Sequence, residues 1–169
     1  DVVLGGGTEI ANYFSVDPNS GEIWVAATAP DAADGVEDGY SALGALYGLT
    51  LQQNGADYAL TPVCERDIQG GSASTPALRA DGQRIYFGDS EGNLLALDNQ
   101  CQLLWQLPIG KQIVGSIGVA ADNNELYAST METVYQIIDE GDHGRIRWQA
   151  DLASAFNPLQ GRLKAMNLD

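Results

Sequence analysis

Carboxylates, cysteines and one histidine are the side chains of this sequence whose spacing suggests site chemistry. Asp31, Asp34, Glu37 and Asp38 form the densest acidic group, with glycines among them. Carboxylate oxygens are the ligands that Ca²⁺ prefers, although this segment lacks the regular alternation of a dedicated calcium loop. The segment is therefore a candidate metal site, and a solvated acidic loop is the alternative.

The two cysteines, Cys64 and Cys101, predict either one disulfide or two buried free thiols. They form no Cys-x-x-Cys motif, and His143 is the only histidine, so a zinc site with the usual ligands cannot be assembled. A disulfide would favour an oxidising compartment, and we expect a bacterial periplasmic or extracellular location. Because His143 lies far along the chain from the candidate hydroxyls of Ser74, Ser116 and Thr130, a nucleophile with a positioned base is not expected.

The charge of the chain excludes several classes of partner. Twenty-three acidic residues oppose eight basic ones, the formal net charge is −15, and no lysine or arginine precedes Arg66. Nucleic acids and anionic membrane surfaces are bound by clustered cations, so neither is expected as a partner. No segment approaches the roughly 18 consecutive apolar residues of a membrane-spanning helix.

The elements that must position these residues form an internal repeat. "RIYFGDSE" from Arg84 recurs as "ELYASTME" from Glu125, which aligns Tyr86 with Tyr127. The same comparison places "CQLLW" over "RIRW" and Trp105 over Trp148. A period of roughly 40 to 50 residues is typical of propeller blades.

Each repeat is predicted to contain four short strands, which in the clearest copy are Thr75–Ala80, Arg84–Gly88, Asn93–Asp98 and Gln102–Leu107. An earlier copy begins with "EIWVA" at Glu22 and carries an insertion at residues 28–44. The predicted division is a first blade at about residues 12–69, a second at 74–108 and a third at 114–152, with 153–169 starting a further blade.

These strands are apolar on both faces, as in Ile85-Tyr86-Phe87. A β-sandwich strand usually alternates apolar and polar residues, whereas a sheet stacked between two others need not. We therefore predict an all-β propeller of four-stranded antiparallel blades, with about three to four blades present as a segment of a larger ring. Trp105 and Trp148 would then lie across the next blade, and a Cys64–Cys101 bond would join neighbouring blades.

The string "ADGQRIYFGDSEGNLLALDNQCQLLW" resembles the repeat of pyrroloquinoline-quinone-type propellers, whose blades carry Ala-x-Asp-x-x-Thr-Gly-x-x-x-Trp. Ala96, Asp98 and Trp105 match that pattern in a copy that is one residue short. In the next copy Gly144 and Trp148 keep the spacing. The resemblance implies that these residues dock the blades.

The resemblance implies more than one function. Quinoprotein dehydrogenases of the family bind pyrroloquinoline quinone with calcium and often carry a Cys-Cys pair, which this chain lacks. Other members have lost the cofactor and serve as docking surfaces, as in the propeller lipoprotein of outer-membrane protein assembly. We expect a non-catalytic, exported scaffold without a cofactor, which binds a protein or a small ligand on a propeller face.

Two alternatives stay open. One is a segment of a quinone- and calcium-dependent dehydrogenase that oxidises alcohols or sugars. The other is a propeller that binds carbohydrate or another small ligand through exposed aromatic side chains such as Trp24, Tyr40 or Tyr47. Fold alone does not distinguish these functions.

Overall fold

The computed structural model describes residues 10, 12–28, 44–120, 124–152, 156–157 and 162–163. Almost all regular structure in these ranges is β-strand. Three four-stranded antiparallel sheets follow one another along the chain. Within the described ranges, no helix is long and apolar enough to cross a membrane.

The first sheet contains β1 (Ser15–Val16), β2 (Ile23–Thr28), β3 (Gly44–Asn54) and β4 (Asp57–Ile68) in that order. β2 ends and β3 begins with the paired residues Thr28 and Gly44, so the inserted segment lies between the second and third strands. β3 and β4 extend beyond β2 as a two-stranded hairpin, because the last β2 pairing is Ile23 with Leu49.

The second sheet contains β6 (Ala77–Leu78), β7 (Ile85–Gly88), β8 (Asn93–Leu97) and β9 (Leu103–Pro108). The third contains β11 (Gly118–Val119), β12 (Glu125–Ser129), β13 (Thr133–Asp139) and β14 (Gly144–Asp151). Two short pairs complete the strands. They are β5 (Ser74–Thr75) with β10 (Gly115–Ser116), in parallel, and β15 (Phe156–Asn157) with β16 (Arg162–Leu163), antiparallel.

The predicted strand Thr75–Ala80 is wrong as one element. Ser74 and Thr75 pair in parallel with the chain just before the third sheet, whereas Ala77 and Leu78 pair with β7 of their own sheet. Pro76 separates the two pieces and has no N–H to donate to either ladder, so the chain changes partner there. This change of pairing partner links the second and third sheets through backbone hydrogen bonds.

The second sheet is buried on both faces, which explains its uninterrupted apolar strands. Ile85, Phe87 and Leu97 pack with Trp24 and Leu46 of the first sheet. The opposite face of the second sheet packs against the third sheet. There Tyr86, Leu94, Ala96 and Trp105 contact a group from the third sheet, Leu126, Ala128 and Ile137. The central sheet is therefore covered by two apolar layers, one on each side, and a third apolar cluster lies on the other face of the first sheet.

Gly88 provides a test of this packing. A Cβ at Gly88 would meet the fully buried Ile113 and lie 2.8 Å from its Cδ1 atom. We expect Gly88→Ala to lower the free energy of unfolding by about 1–3 kcal/mol through overpacking. Gly118→Ala is the matched control, because its Cβ would meet Tyr127 Cβ at 3.4 Å, an ordinary contact. Equal urea midpoints for the two variants would contradict the packing described here.

Candidate functional site

Each sheet has the same irregularity where its third and fourth strands pair. The register shifts once, and the residue of the fourth strand on one side of the shift is Cys64, Trp105 or Trp148 in the three sheets. These three residues occupy equivalent positions. Their pairing partners on the third strands are Gly48, Ala96 and Gln136. Those residues pair in turn with Trp24, Tyr86 and Tyr127 on the second strands.

Trp105 extends from the second sheet to the third. Its ring occupies the space beside Gly144, where a Cβ would lie only 2.8 Å from Trp105 Cζ3. The indole Nε1 donates a hydrogen bond of 3.0 Å to Asp139 Oδ1. Only a glycine at residue 144 therefore lets the indole reach the carboxylate.

Asp139 is the buried polar centre of this contact. Its side chain is 2% exposed and also accepts a hydrogen bond of 2.6 Å from the Tyr86 hydroxyl. Arg84 forms an ion pair with the same carboxylate, and the backbone N–H of Gly141 donates to it at 2.9 Å. Three side chains of the second sheet thus converge on one carboxylate of the third.

The surroundings of Asp139 determine its protonation. Burial by itself raises the pKa of this carboxyl, but the hydrogen bonds from Tyr86, Gly141, Arg84 and Trp105 outweigh burial and hold the pKa below its usual value. Burial and the neighbouring carboxylate raise the pKa of the Tyr86 hydroxyl. At neutral pH the carboxylate is therefore charged and the phenol is a donor, which is the state that the geometry requires.

The first and second sheets are joined at the equivalent position by a covalent bond. Cys64 forms a disulfide with Cys101, with 5.8 Å between their Cα atoms. Cys101 precedes Trp105 by the same four residues that separate Gly144 from Trp148. The disulfide therefore replaces the contact of a tryptophan with a glycine in the next sheet.

The turn that holds Cys101 is shaped by Asp98. The Asp98 carboxylate accepts hydrogen bonds from the backbone N–H groups of Gln100 and Gln102, at 2.9 and 2.8 Å. Cys101 adopts a φ of +61°, which a residue with a side chain rarely does. Asp98 thus acts within its own sheet and does not reach the first sheet as Asp139 reaches the second.

In the third sheet the equivalent row of paired residues is Tyr127, Gln136 and Trp148. Trp148 is half-buried and contacts Tyr127 edge-on, with 6.5 Å between the ring centroids. Gln136 donates to both the Tyr127 hydroxyl and Glu125, each at 2.9 Å, and Arg147 pairs with Glu125. These polar contacts are made within the sheet, whereas those of Tyr86 and Trp105 go to a neighbour.

Several other candidate residues have structural roles or lie outside the described residues. The acidic group Asp31, Asp34, Glu37 and Asp38 lies outside them, as does Tyr40. Within the described ranges, no three histidine, cysteine or acidic side chains are grouped so as to hold a metal.

The prediction that Trp24 and Tyr47 are exposed is wrong. Trp24 is 1% and Tyr47 0% exposed, and the two rings lie on opposite faces of the first sheet. Trp24 packs in the layer shared with the second sheet, and Tyr47 packs with Val25 and Leu49 on the other face. Neither ring can therefore stack against a sugar from solvent.

Exposed apolar side chains are concentrated on the first sheet. Eight of the twelve large ones in the described part of the chain belong to residues 10–16 or 51–63, namely Ile10, Tyr13, Phe14, Val16, Leu51, Tyr58, Leu60 and Val63. The two segments meet at a groove of about 300 Å³, which we call the apolar groove, lined by Ile10, Phe14, Ile23, Val25, Leu49 and Leu60. This groove was not predicted from the sequence.

Comparison with solved structures identifies the architecture. BamB from Moraxella catarrhalis matches with a TM-score of 0.57 and 10% identity over 85% of this chain and 35% of that one. The C-terminal WD40 domain of Sif2 matches with a TM-score of 0.54 and 15% identity over 78% and 34%. Both are propellers. The three sheets are propeller blades.

At 10% and 15% sequence identity, these likenesses show the fold and neither the family nor the function of the chain. The chain spans about a third of the length of the two solved propellers. No protein-family model and no curated protein sequence matches it. The predicted all-β propeller of four-stranded blades is therefore confirmed, whereas membership of the quinone-type family stays a prediction.

The Cys64–Cys101 bond is expected to stabilise the chain measurably. It links residues 37 positions apart, for which the chain-entropy model gives about 3–4 kcal/mol. Unfolding of the native chain by urea should shift to lower concentration when a reductant is added. The variant with both cysteines replaced by alanine should unfold at the lower concentration with or without reductant. A reductant-dependent shift in that variant would contradict this assignment.

Asp139→Asn is expected to weaken the contact between the second and third sheets. Hydrogen bonds to a charged group contribute about 1.5–3 kcal/mol each, so the free energy of unfolding at pH 7 should fall by at least about 2 kcal/mol. Because the folded pKa lies below the unfolded value of about 3.9, the stabilisation by Asp139 is complete above that value and is lost as the pH falls through the folded pKa.

The variant should therefore lose less stability than the native chain when the pH is lowered from 7 to about 2–3. Urea unfolding followed by tryptophan fluorescence at each pH measures this difference. Asp98→Asn serves as the control, because that carboxylate holds only the turn of its own sheet. Parallel pH curves for the native chain and Asp139→Asn would contradict the role given to Asp139.

Proposed function

We propose that this chain is part of a non-catalytic propeller scaffold that binds a protein partner at the apolar groove of its first sheet. The observation that carries the proposal is the concentration of exposed apolar side chains in residues 10–16 and 51–63, three of which, Ile10, Phe14 and Leu60, line that groove. Isolated exposed apolar residues are ordinary, but a grouped set with a concave centre is typical of an interaction site. Binding of this kind requires no cofactor.

The groove is held in place by contacts to the next sheet. Asn12 Nδ2 donates to the Ala73 carbonyl at 2.9 Å, the Tyr13 backbone N–H donates to Thr75 Oγ1 at 3.2 Å, and Ser15 donates to the Pro76 carbonyl. The segment that carries Phe14 is therefore fixed before any partner arrives. A preformed surface loses less conformational entropy on binding than a mobile one.

The proposal includes export to the periplasm or the outside of a bacterial cell. The Cys64–Cys101 disulfide supports this location, because disulfides persist in oxidising compartments and are rare in reducing ones. The net charge of −15 is consistent with a surface that does not bind nucleic acid.

The proposal predicts that substituting an apolar residue of the groove weakens binding of the partner, whereas substituting an exposed apolar residue elsewhere does not. Leu60 lines the groove and is 55% exposed, whereas Leu104 on β9 of the second sheet is 37% exposed and does not line it. Tagged native, Leu60→Ser and Leu104→Ser chains are used to recover proteins from extracts of the cells that make the chain. Each recovered protein is then purified and its affinity for all three chains is measured.

Truncating a leucine that is buried on binding costs about 1.5–3 kcal/mol, so Leu60→Ser should weaken the partner about tenfold or more. Leu104→Ser should bind as the native chain does. Equal affinities for the three chains, or no partner for the native one, would overturn the proposed function.

A further inference from the structure

The third sheet repeats, on the face turned away from the second sheet, the surface by which the second sheet holds the third. We call this surface the outer face. It carries Tyr127 and Trp148 at the positions that Tyr86 and Trp105 occupy one sheet earlier. Tyr86 is 0% exposed beneath the third sheet, whereas Tyr127 is 36% exposed. The same docking surface is thus covered on the second sheet and partly exposed on the third.

On the second sheet this surface holds an apolar side chain from the segment that precedes the third sheet. That side chain is Ile113, which is fully buried and packs on Gly88. It lies in one cluster with Tyr86, Leu94 and Ala77. Gly88 pairs with Leu94, and Ala77 pairs with Tyr86. These two neighbouring pairs therefore form the site that Ile113 fills.

The outer face has a cavity at the equivalent place. Six residues line this cavity of about 260 Å³, namely Ser116, Gly118, Tyr127, Ala128, Ser129 and Val134. Ser129 pairs with Val134, and Gly118 pairs with Tyr127. These pairs are equivalent to the two pairs around Ile113. The cavity therefore suits an apolar side chain from a further sheet, as the site one sheet earlier suits Ile113.

Trp148 lacks the partners that Trp105 has. The Trp105 ring covers Gly144, and its Nε1 donates to Asp139. Trp148 contacts Tyr127 edge-on, and no described residue accepts a hydrogen bond from its Nε1. The indole of Trp148 is therefore open to a glycine and a hydrogen-bond acceptor on another sheet.

The short strand Gly115–Ser116 is a third attachment point. Its equivalent, Ser74–Thr75, is contacted from two sides, by parallel pairing with Gly115–Ser116 and by the Tyr13 backbone N–H, which donates to Thr75 Oγ1. Thr75 is 6% exposed, whereas Ser116 is exposed. The side of Gly115–Ser116 away from Ser74–Thr75 therefore suits another short strand in the same parallel arrangement.

A second copy of this chain does not offer the glycine that Trp148 requires. In the contact already described, Gly144 stands four residues before the position equivalent to Trp105 in its own sheet. Leu60 has that place relative to Cys64 in the first sheet, and Cys101 has it in the second, where it is bonded to Cys64. Gly144 itself is covered by Trp105. The sheet that fits the outer face is therefore none of the three described sheets.

The order of the sheets along the chain indicates where the fitting sheet comes from. The three described sheets follow one another in sequence, and each packs against the next. A further antiparallel strand pair, β15 with β16, follows β14. The matched part of the chain covers only 35% and 34% of the two solved propellers. Both facts favour the next sheet of the same polypeptide.

The acceptor on that sheet should differ from Asp139. Glu125 stands on the third sheet where Arg84 stands on the second, two residues before the tyrosine. Arg147 pairs with Glu125, and Gln136 donates to it. A further carboxylate at this place would face Glu125 without a cation of its own, and like charges repel. An uncharged acceptor, such as asparagine, serine or threonine, avoids this repulsion.

We infer that a further four-stranded sheet of the same polypeptide docks on the outer face of the third sheet. It places a glycine against Trp148, an apolar side chain in the cavity beside Ser129 and a short strand parallel to Gly115–Ser116. An uncharged acceptor takes the place of Asp139. The inference concerns the third sheet and does not depend on the function proposed for the apolar groove.

Photocrosslinking tests the inference in the polypeptide as its own cells make it. The photoreactive residue p-benzoylphenylalanine replaces Ser129, which lines the cavity, or Tyr127, which contacts Trp148. Leu104, exposed on the second sheet, is the matched control position. Both outer-face positions should give a link within one polypeptide, to peptides that follow residue 152. The control should give no link to those peptides. Two positions keep the test valid when one variant fails to fold.

The mass of the linked product identifies the source of the covering sheet. An unchanged mass with a link to sequence after residue 152 supports the inference. A product of twice the mass identifies a second copy, and a product that contains another protein identifies a separate partner. Either of these overturns the inference, as does a link only to described residues or no link at either position.

The linked peptides also test the chemistry of the docking sheet. The peptide reached from residue 127 should contain a glycine, with asparagine, glutamine, serine or threonine five residues before it, as Asp139 lies five before Gly144. An aspartate or glutamate at that place would contradict the inferred acceptor.

Acrylamide quenching of tryptophan fluorescence is the second measurement. Trp24 and Trp105 are 1% and 4% exposed, so Trp148 is the tryptophan of the 169-residue chain that acrylamide reaches. Trp148→Phe should remove most of the quenching from this chain. It should leave the quenching of the polypeptide made by cells unchanged, because the next sheet covers the indole there. The same loss of quenching in both would overturn the inference.

Discussion

The structure depends on the way in which the fourth strand of one sheet holds the turn of the next. A four-stranded sheet that is apolar on both faces is stable only when its neighbours cover it. Between the second and third sheets, Trp105 reaches over Gly144 and donates to Asp139, which also binds Tyr86 and Arg84. Ile113, which packs against Gly88, belongs to the same buried layer as Trp105.

The equivalent position of the fourth strand joins neighbouring sheets in two different ways. Cys64 replaces the tryptophan in the first sheet, and Cys101 replaces the glycine in the second, so a covalent bond takes the place of an aromatic and polar contact. Trp24 has no hydroxyl where Tyr86 has one, and Asp98 stays within its own turn. Asp139 thus lies at the interface that has a tyrosine and an indole to satisfy it, as expected for a charge in an apolar layer.

Sequence reasoning predicted the parts of this fold that repeat. The spacing of Trp105 and Trp148 and the strands that are apolar on both sides predicted the propeller blades, because both are local patterns. The ion pair and hydrogen bonds of Asp139 were missed, since Arg84 and Tyr86 are more than 50 positions away and meet it only through the neighbouring sheet. The only sequence signal was the displacement of Asp139 by one residue from the repeat pattern. The apolar groove was missed because it combines residues of two distant segments, such as Phe14 and Leu60.

The short parallel pairing of Ser74–Thr75 with Gly115–Ser116 has a mechanical consequence. It lies beside the first strands of the second and third sheets, whereas Trp105 and Gly144 meet at their fourth strands. Two attachments on opposite edges leave only one axis about which one sheet can pivot against the other, the line through both attachments. The apolar layer buried between the two sheets opposes rotation about that line, so the second and third sheets should move together as one body.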